Sequence, residues 1–273
     1  MAAAPPRVPG LVDAHCHLDY PPMSDDIEST LEAARHAGVV QLVHVGCSRR
    51  SLERAVEIAR AHATVFAAVG IHPHEADTVD QGVLDTLSAF AEDPKVVAIG
   101  ETGLDYYYDR SPRERQRAEL ARHVKLARTL DMPLVLHIRE AHDEAMAIIE
   151  QEGPRSSRPG MVHCFTGGPE DAEGWLRLGF HLSFSGIATF RRSEPIREAA
   201  RLCPADRILL ETDAPYLAPE PVRGRKNAPA NVAFTCTHLA AARGEAPEAL
   251  ARQSSANTRF LLDLPEPSPG APD

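Results

Sequence analysis

Six side chains of the kinds that bind metal ions follow short apolar runs in this 273-residue chain. A single histidine in an apolar segment is usually a core residue, but here five separate runs each end in an imidazole or a carboxylate. Four imidazoles and two carboxylates exceed what one tetrahedral zinc ion binds, and they fit two metals that share a bridging ligand. The pattern predicts a two-metal hydrolytic site whose ligands are His15, His17, Glu101, His137, His163 and Asp213.

The first two histidines are separated by one residue, and this spacing has a geometric meaning. Side chains alternate across a β-strand, so positions i and i+2 face the same way. His15 and His17 can therefore bind one metal from a single strand, whereas Cys16 faces away and is expected to pack as a buried thiol. A His-x-His pair alone is weak evidence, and the prediction depends on the other four side chains.

The two carboxylates suit different catalytic roles. Glu101 follows a run in the middle of the chain and is predicted to bridge the metals. Asp213 follows the last run, and we expect it to bind one metal and to accept the proton of the attacking water. Glu211 lies two residues earlier on the same strand face and is expected to orient a histidine ligand.

Eight apolar runs alternate with segments of helical periodicity, which predicts a parallel sheet. Eight strand–helix units in about 250 residues favour a (β/α)8 TIM barrel, an α/β fold. An open doubly wound sheet is the alternative, but it more often has a glycine-rich loop where this chain has its first two histidines. The predicted strands are residues 11–15, 41–45, 65–70, 96–100, 134–137, 161–163, 181–185 and 208–211, and the predicted helices are residues 24–37, 51–63, 83–91, 113–130, 140–151, 169–178, 194–201, 230–242 and 247–262.

The barrel prediction also accounts for the positions of the candidate ligands. Active sites of such barrels lie at the C-terminal ends of the strands, and the six ligands follow predicted strands one, four, five, six and eight. Histidines on helical segments, such as His123, are expected at the surface. We expect one hydrolase domain over residues 1–264 and a disordered, Pro-rich tail over residues 265–273.

Composition excludes some classes of protein. The net charge of −10 argues against a protein that coats nucleic acid generally. The odd number and irregular spacing of the five cysteines fit a reducing compartment and predict a cytoplasmic location. Residues 1–9 lack the apolar core of a signal peptide, and no run approaches the ~18 apolar residues of a membrane span. No feature indicates a membrane contact or an obligate protein partner.

Six segments together resemble the signature segments of the TatD family of metal-dependent deoxyribonucleases. The most specific are Gly-Glu-Thr-Gly-Leu-Asp around Glu101 and Glu-Thr-Asp-Ala-Pro-Tyr-Leu around Asp213. The resemblance covers nearly the whole chain. It implies an amidohydrolase-type barrel, a divalent-metal-dependent hydrolase acting on DNA, typically as a 3′-to-5′ exonuclease, and ligand roles for the six side chains. The segments are residues 12–19, 70–74, 99–105, 137–139, 163–167 and 210–217.

Basic residues follow several predicted strands and would lie on the same face as the metals. Guanidinium groups pair with phosphate, so their distribution favours a phosphate-bearing substrate, although a single arginine is most often ordinary surface charge. His72 and Arg139 are the predicted substrate contacts, with a structural role in the loop around Pro73 as the alternative for His72. The tyrosines at 106–108 could stack on bases, and for two of them core packing or a lid is an equal expectation. The basic residues are Arg49, Arg50, Arg139, Arg191, Arg192, Arg223, Arg225 and Lys226.

Three functions remain open from the sequence. The first is a two-metal phosphodiesterase acting on DNA. The second is hydrolysis of C–N or ester bonds in small molecules on the same barrel, and the third is a non-catalytic nucleic-acid-binding protein, which would not need the ligand set. Imidazole-rich ligation favours Zn²⁺, Mn²⁺ or Fe²⁺, whereas the family resemblance implies that Mg²⁺ supports activity. We therefore expect two divalent cations of Zn²⁺, Mg²⁺ or Mn²⁺.

Overall fold

Within residues 3–153 and 158–267, which the computed structural model describes, eight strands form one parallel sheet in chain order. Helices alternate with the strands, and the fold is the predicted (β/α)8 TIM barrel. The strands are β1 (Leu11–Cys16), β2 (Val39–Gly46), β3 (Val65–Val69), β4 (Val96–Asp105), β5 (Leu134–Arg139), β6 (Gly160–Val162), β7 (His181–Phe184) and β8 (Ile208–Leu210). The helices are α1 (Ile27–His36), α2 (Leu52–Ala61), α3 (Gln81–Phe90), α4 (Arg113–Leu130), α5 (His142–Glu152), α6 (Pro169–Arg177), α7 (Glu194–Leu202), α8 (Val232–Arg243) and α9 (Pro247–Leu262).

The chain divides into two compact units by the density of its contacts. The first unit contains the residues up to Val43, Cys164–Ala172 and the chain from Leu182 onward. The second unit contains His44–His163 and Glu173–His181. Each unit has its own buried apolar strands and its own helices.

In the first unit, helix α9 packs against β1 and β8. Its buried face combines leucines with two fully buried serines. One of them, Ser255, accepts a hydrogen bond at its Oγ from Val12 N of β1 at 2.9 Å. A small polar side chain lets the helix come close to the strand and pairs a backbone N–H there, so α9 fixes the strand that carries the first two candidate ligands.

The chain beyond β8 stays paired with β1. His17 N donates a hydrogen bond to Ala214 O at 2.8 Å, and Asp213 N donates to His15 O at 2.9 Å. Asp213 has a φ of 55°, in the left-handed region that non-glycine residues rarely adopt. Two backbone hydrogen bonds and this unusual conformation therefore set the position of Asp213 relative to His15 and His17.

In the second unit, the register between β4 and β5 positions the side chains that matter. Gly103 pairs with His137, and Asp105 pairs with Arg139. Gly103 has a φ of 151°, and a Cβ at that position would lie 1.9 Å from His137 O. Only glycine allows this close approach, so Gly103 lets the two strands carry their polar residues side by side.

Strand β4 is longer than predicted. It has 10 residues and continues to Asp105, so Glu101 lies inside the strand and not at its end, as the sequence had suggested. The register shifts between Gly100 and Thr102, and this irregularity lets pairing with β5 resume beyond Glu101. His137 likewise lies within β5, which continues to Arg139.

The first helix begins later than predicted. Residues 23–25 form a separate 3₁₀ turn, and α1 starts at Ile27 because Asp26 caps it by accepting a hydrogen bond from Ser29 N at 3.0 Å. The remaining predicted strands and helices are found within a few residues of their predicted bounds.

The expected surface position of His123 is wrong. His123 is fully buried on the inner face of α4, and its Nδ1 lies 2.8 Å from Glu119 O, one turn earlier. Burial lowers the pKa of His123 to about 4. A histidine in an amphipathic helix cannot be assigned to either face by residue type, since the ring is intermediate in burial preference.

The single domain over residues 1–264 stays a prediction. Of the predicted tail, residues 268–273 lie outside the described residues. Pro265, at its start, accepts a hydrogen bond at its carbonyl from Gln41 Nε2 at 2.8 Å. Across the described residues, no helix has the length and apolar character needed to cross a membrane.

Candidate metal centre

Three imidazoles converge on one carboxylate oxygen in the second unit. Glu101 Oε1 lies 2.9 Å from His137 Nδ1, 2.9 Å from His163 Nε2 and 3.4 Å from His72 Nε2. The His137 Nδ1 and His163 Nε2 atoms are 3.2 Å apart. Glu101 and His163 are buried, whereas His72 and His137 retain partial exposure. Solvent therefore reaches the cluster on the side of His72 and His137, while the side of Glu101 and His163 is buried.

Asp105 holds the far side of the same cluster. Its Oδ2 lies 3.1 Å from His137 Nε2 and 2.9 Å from His74 Nε2. Burial would raise the pKa of Asp105, but hydrogen bonds from His137, His74 and the Tyr108 backbone outweigh it and hold that pKa well below its usual range. Burial would lower the pKa of His137, but Asp105 and Glu101 raise it. A carboxylate on the second nitrogen of an imidazole fixes the ring orientation, as carboxylates commonly do for histidine ligands.

His72 has a defined tautomer in this arrangement. Its Nδ1 accepts a hydrogen bond from His74 N at 3.0 Å, so the proton of the neutral ring is on Nε2 and points at Glu101. Burial lowers the pKa of His72 to about 4, against the opposing charge of Glu101, and the ring is therefore neutral near pH 7. His72, Glu101 and His137 also form one of the groups whose donor atoms lie within 4.8 Å of one another. The tautomer makes His72 a hydrogen-bond donor beside the ligands.

The first unit carries a second cluster, which consists of His15, His17 and Asp213. The Nε2 atoms of His15 and His17 are 3.3 Å apart. Asp213 Oδ1 lies 3.5 Å from His17 Nε2 and 3.9 Å from His15 Nε2. Both imidazoles are buried, and the Asp213 side chain is 13% exposed. His15 lies in β1 and His17 directly follows the strand, and the i, i+2 spacing puts both rings on the same side of the chain, as predicted.

Asp13 anchors the segment that carries Asp213. The Asp13 carboxylate is fully buried and accepts hydrogen bonds from Thr212 N at 2.9 Å and from Thr212 Oγ1 at 2.6 Å. Burial raises the pKa of Asp13 to about 8, and the Thr212 hydrogen bonds oppose that rise. Each bond fixes the residue directly before Asp213, so Asp13 acts on the position of Asp213.

Glu211 is a further buried carboxylate near this segment. Its oxygens accept hydrogen bonds from Cys164 N at 2.7 Å and from the Ser183 hydroxyl. Cys164 has a φ of 43° and directly follows His163 in the chain. Glu211 therefore holds an unusual backbone conformation next to a predicted ligand, which agrees with the predicted orienting role.

The spacing of these donors fits divalent cations. Ligand atoms on a tetrahedral ion with bonds of about 2.1 Å stand about 3.4 Å apart. The His15 and His17 nitrogens in the first unit are 3.3 Å apart, and the nitrogens of His137 and His163 in the second are 3.2 Å apart. Imidazole nitrogens and carboxylate oxygens are suitable donors for Zn²⁺ and Mn²⁺. Each unit thus contributes three of the six predicted ligands, and each set of three has the donor chemistry of a metal site.

Arg139 stands apart from the ligands but on the same strand as His137. Its guanidinium carbon lies 3.9 Å from the Tyr107 ring centroid and 4.8 Å from the Tyr108 ring centroid. Among the described residues, no acidic group pairs with it. Tyr106 differs from its neighbours, because its hydroxyl contacts Glu144. The other two of the three consecutive tyrosines are exposed, at 55% for Tyr107 and 50% for Tyr108.

The other basic residues divide into paired and unpaired groups. Arg49 forms an ion pair with Asp80. Arg223 lies 3.7 Å from Glu220 and stacks on Phe190 with a distance of 4.1 Å to the ring centroid. No acidic partner within the described chain is found for Arg225, Lys226, Arg191 or Arg192. The loop after β8 therefore keeps most of its positive charge available.

Sequence reasoning missed two members of the second cluster. Asp105 and His74 both lie in segments that resemble the TatD family, at 99–105 and 70–74, but neither is among the six predicted ligands or the two predicted substrate contacts. The signal was present in the strand itself, because Asp105 is four residues after Glu101 and an even offset can share one strand face. The irregularity at Glu101 interrupts the regular alternation of side chains along the strand. The even offset between Glu101 and Asp105 therefore does not by itself predict that the two side chains share a face.

Comparisons with known proteins agree on one family. Residues 12–263 match the family model described as TatD related DNase. A protein named uncharacterized metal-dependent hydrolase YcfH, from Escherichia coli K12, is 38% identical over 258 residues, which cover 93% of this chain and 96% of that protein. The 3′-5′ ssDNA/RNA exonuclease TatD of Erwinia billingiae is 37% identical over 93% of this chain and 100% of its own length.

Solved structures give the same result. The crystal structure of YjjV, a TatD homologue from Escherichia coli, superposes with a TM-score of 0.88 at 32% sequence identity, and the match covers 94% of this chain and all of that one. The resemblance inferred from the six sequence segments is thereby confirmed. With a family match over nearly its whole length and relatives named as metal-dependent hydrolases, the chain belongs to the TatD family of metal-dependent hydrolases.

Proposed function

We propose that this chain is a two-metal phosphodiesterase that removes nucleotides from the 3′ end of DNA. The observation that carries the proposal is the convergence of three imidazoles on Glu101 Oε1. A buried carboxylate surrounded by imidazole nitrogens suits a ligand shared by two cations. The Erwinia billingiae relative, named as a 3′-5′ ssDNA/RNA exonuclease, supports nucleic acid as the substrate class.

Two divalent cations, when bound, supply the positive charge that activates the attacking water and stabilises the phosphate oxygens. The residues that would hold the cations are Glu101, His137 and His163 in the second unit and His15, His17 and Asp213 in the first, with Glu101 as the ligand that the two cations would share. Asp213 also takes the proton of the attacking water, because its carboxylate is partly exposed while its backbone is held by His15 O. The two other residues proposed at this site, His72 and Arg139, bind and orient the substrate.

His72 and Arg139 are the proposed substrate contacts. The His72 Nε2–H faces the cluster from its exposed side and can donate to a phosphate oxygen. The Arg139 guanidinium has no acidic partner among the described residues and can form a fork with a phosphate. Zn²⁺ and Mn²⁺ suit the imidazole-rich ligands better than Mg²⁺, so we expect tight binding of the former and activity with added Mg²⁺ or Mn²⁺. We also propose a cytoplasmic location, which the odd number and irregular spacing of the five cysteines favour.

Release of nucleotides from a labelled single strand tests this proposal directly. The protein should shorten a 5′-labelled oligonucleotide stepwise from its 3′ end in the presence of metal, and a chelator should stop the reaction. A Glu101→Gln preparation, purified in parallel, controls for contaminating nucleases. Turnover of amide or lactone substrates with no release from DNA would instead establish the small-molecule hydrolase. DNA binding in chelator with no turnover in any metal would establish a binding protein.

A further inference from the structure

An exposed corner of two tyrosines and one arginine stands beside the second cluster. The rings of Tyr107 and Tyr108 have centroids 4.9 Å apart and planes at 87°. The guanidinium of Arg139 lies over both. Tyr107 and Tyr108 each remain about half exposed as residues despite this contact. Large exposed aromatic rings cost free energy in water, and a stacked arginine does not cover them.

The two tyrosine hydroxyl groups of the corner take no part in the hydrogen bonds of the described residues. Neither the Tyr107 nor the Tyr108 hydroxyl has a hydrogen-bond partner in the described part of the chain. By contrast, Tyr106 is half-buried, contacts Glu144 through its hydroxyl and stacks under Arg113 at 4.2 Å. One tyrosine of the run therefore has a structural role, and the next two present their rings outward.

The same carboxylate fixes the corner and the ligand cluster. Asp105 Oδ1 accepts hydrogen bonds from Tyr107 N at 3.1 Å and from Tyr108 N at 2.8 Å. Its other oxygen, Oδ2, holds the imidazoles of His137 and His74. The Tyr108 ring lies 5.5 Å from the His74 ring, centroid to centroid. The aromatic corner is thus rigidly positioned one side chain away from the cluster.

We propose that Tyr107, Tyr108 and Arg139 form a nucleobase platform, on which the unpaired base next to the cleaved phosphodiester stacks while Arg139 pairs with a phosphate. This inference rests on the proposed phosphodiesterase function and identifies what that site selects. In a nucleotide the base is one sugar away from its phosphate, which matches the separation of the platform from the ligands by a single imidazole. A base within a duplex is already stacked and paired, so the platform selects single-stranded ends.

Stacking on tyrosine tolerates any base and contributes substantially to affinity. Removal of an aromatic side chain from such a contact weakens binding by roughly 5- to 150-fold per base. The adjacent guanidinium adds a charge for the phosphate and keeps both rings in place. We therefore expect little sequence preference and a strong preference for an unpaired end.

The decisive comparison combines a protein change with a substrate change. The Y107A/Y108A double variant is tested on a single-stranded oligonucleotide and on two versions of it, abasic at the 3′-terminal nucleotide or at the one before it. Its kcat/KM on the intact strand should fall by roughly 5- to 150-fold. On one of the two abasic strands, wild type and variant should react equally, because the missing base has already removed the contact. An equal loss on all three strands, or no loss on the intact one, overturns the platform.

Matched variants separate this effect from general damage. Phe260→Ala removes another exposed aromatic ring, 56% exposed on α9, and Tyr106→Phe alters the structural tyrosine, and both should react like wild type on the intact strand. Metal content and the thermal unfolding midpoint of the Y107A/Y108A variant should equal those of wild type.

Binding in chelator distinguishes failure of the platform from failure of the proposed function. Fluorescence anisotropy with the same three oligonucleotides needs no turnover. If wild type releases no nucleotides but its affinity falls with the abasic substitution and with Y107A/Y108A, the platform stands and the hydrolytic assignment fails. If wild type degrades DNA and the double variant binds and degrades every strand equally well, the assignment stands and the platform is overturned.

Discussion

At the scale of single residues, Glu101 is the point on which the proposed chemistry depends. A neutral amide in its place keeps the volume but cannot balance two dications. Glu101→Gln should therefore remove most activity and loosen at least one metal, as measured by nucleotide release and by elemental analysis. Glu150→Gln, at an exposed position of α5, is the control and should leave both unchanged. Near-normal turnover of Glu101→Gln with two metals bound would exclude the bridging role.

Asp213 is the residue proposed to accept the proton of the attacking water. Asp213→Asn should lower kcat by at least about 100-fold, within the range for loss of a positioned acid–base group. The fold should be retained, because the hydrogen bonds that position this residue are the one that its own N–H donates to His15 O and those that Thr212 donates to the Asp13 carboxylate. The measurement is single-turnover cleavage alongside circular dichroism. A folded variant that keeps the wild-type rate is incompatible with Asp213 as the base.

At the scale of elements, the loop after β8 tests the contact with an extended substrate. Alanine at Arg223, Arg225 and Lys226 should weaken DNA binding and flatten its salt dependence by up to about 2 in the log–log slope. The decrease in this slope should stay below about 2, because Arg223 already contacts Glu220 and Phe190. Cleavage of a small phosphodiester should hardly change. A triple alanine variant at the helical residues Arg35, Arg54 and Arg60, each already ion-paired, is the control. An unchanged slope would show that this loop does not touch the strand.

Helix α4 gives a prediction about stability against pH. His123 has its pKa lowered to about 4 by burial, so below its ordinary value of 6.5 the unfolded chain binds a proton that the folded chain resists. The free energy of unfolding should fall by up to about 3 kcal/mol between roughly pH 6.5 and 4 because of this one residue. Urea denaturation should show a smaller fall in the His123→Gln variant. The exposed His36→Gln variant serves as control, and a fall identical to wild type in His123→Gln would refute this origin.

The same elements show what the sequence could and could not reveal. Apolar periodicity and glycine or proline boundaries were enough to locate all eight strands and the limits of α4 and α9. They could not reveal that pairing resumes after the irregularity at Glu101, because that depends on the register with β5. Nor could they assign His123 to the core, which is decided by which helix face packs inward. The pairing of Asp105 with His137 depends on two strands and was likewise hidden.

At the scale of the whole molecule, the family and the fold are settled more firmly than the substrate. The match to TatD related DNases spans residues 12–263, yet a relative as similar as YcfH is named only as a metal-dependent hydrolase. The candidate ligands could be chosen from the sequence because they fall in or just after strands of one barrel. The substrate could not, because it depends on exposed side chains such as Arg139 and Tyr107, whose residue types are common on any surface.

Titration of metal-depleted protein with Zn²⁺, Mn²⁺ or Mg²⁺, with release of nucleotides from a 5′-labelled single strand as the readout, tests the central claim most directly. A two-metal phosphodiesterase should shorten the strand stepwise from its 3′ end and reach its full rate only after a second equivalent of a tightly binding cation. Full activity after one equivalent would contradict the two-metal site. Failure of every cation to support release, from protein that is folded and loaded with metal, would contradict the phosphodiesterase itself.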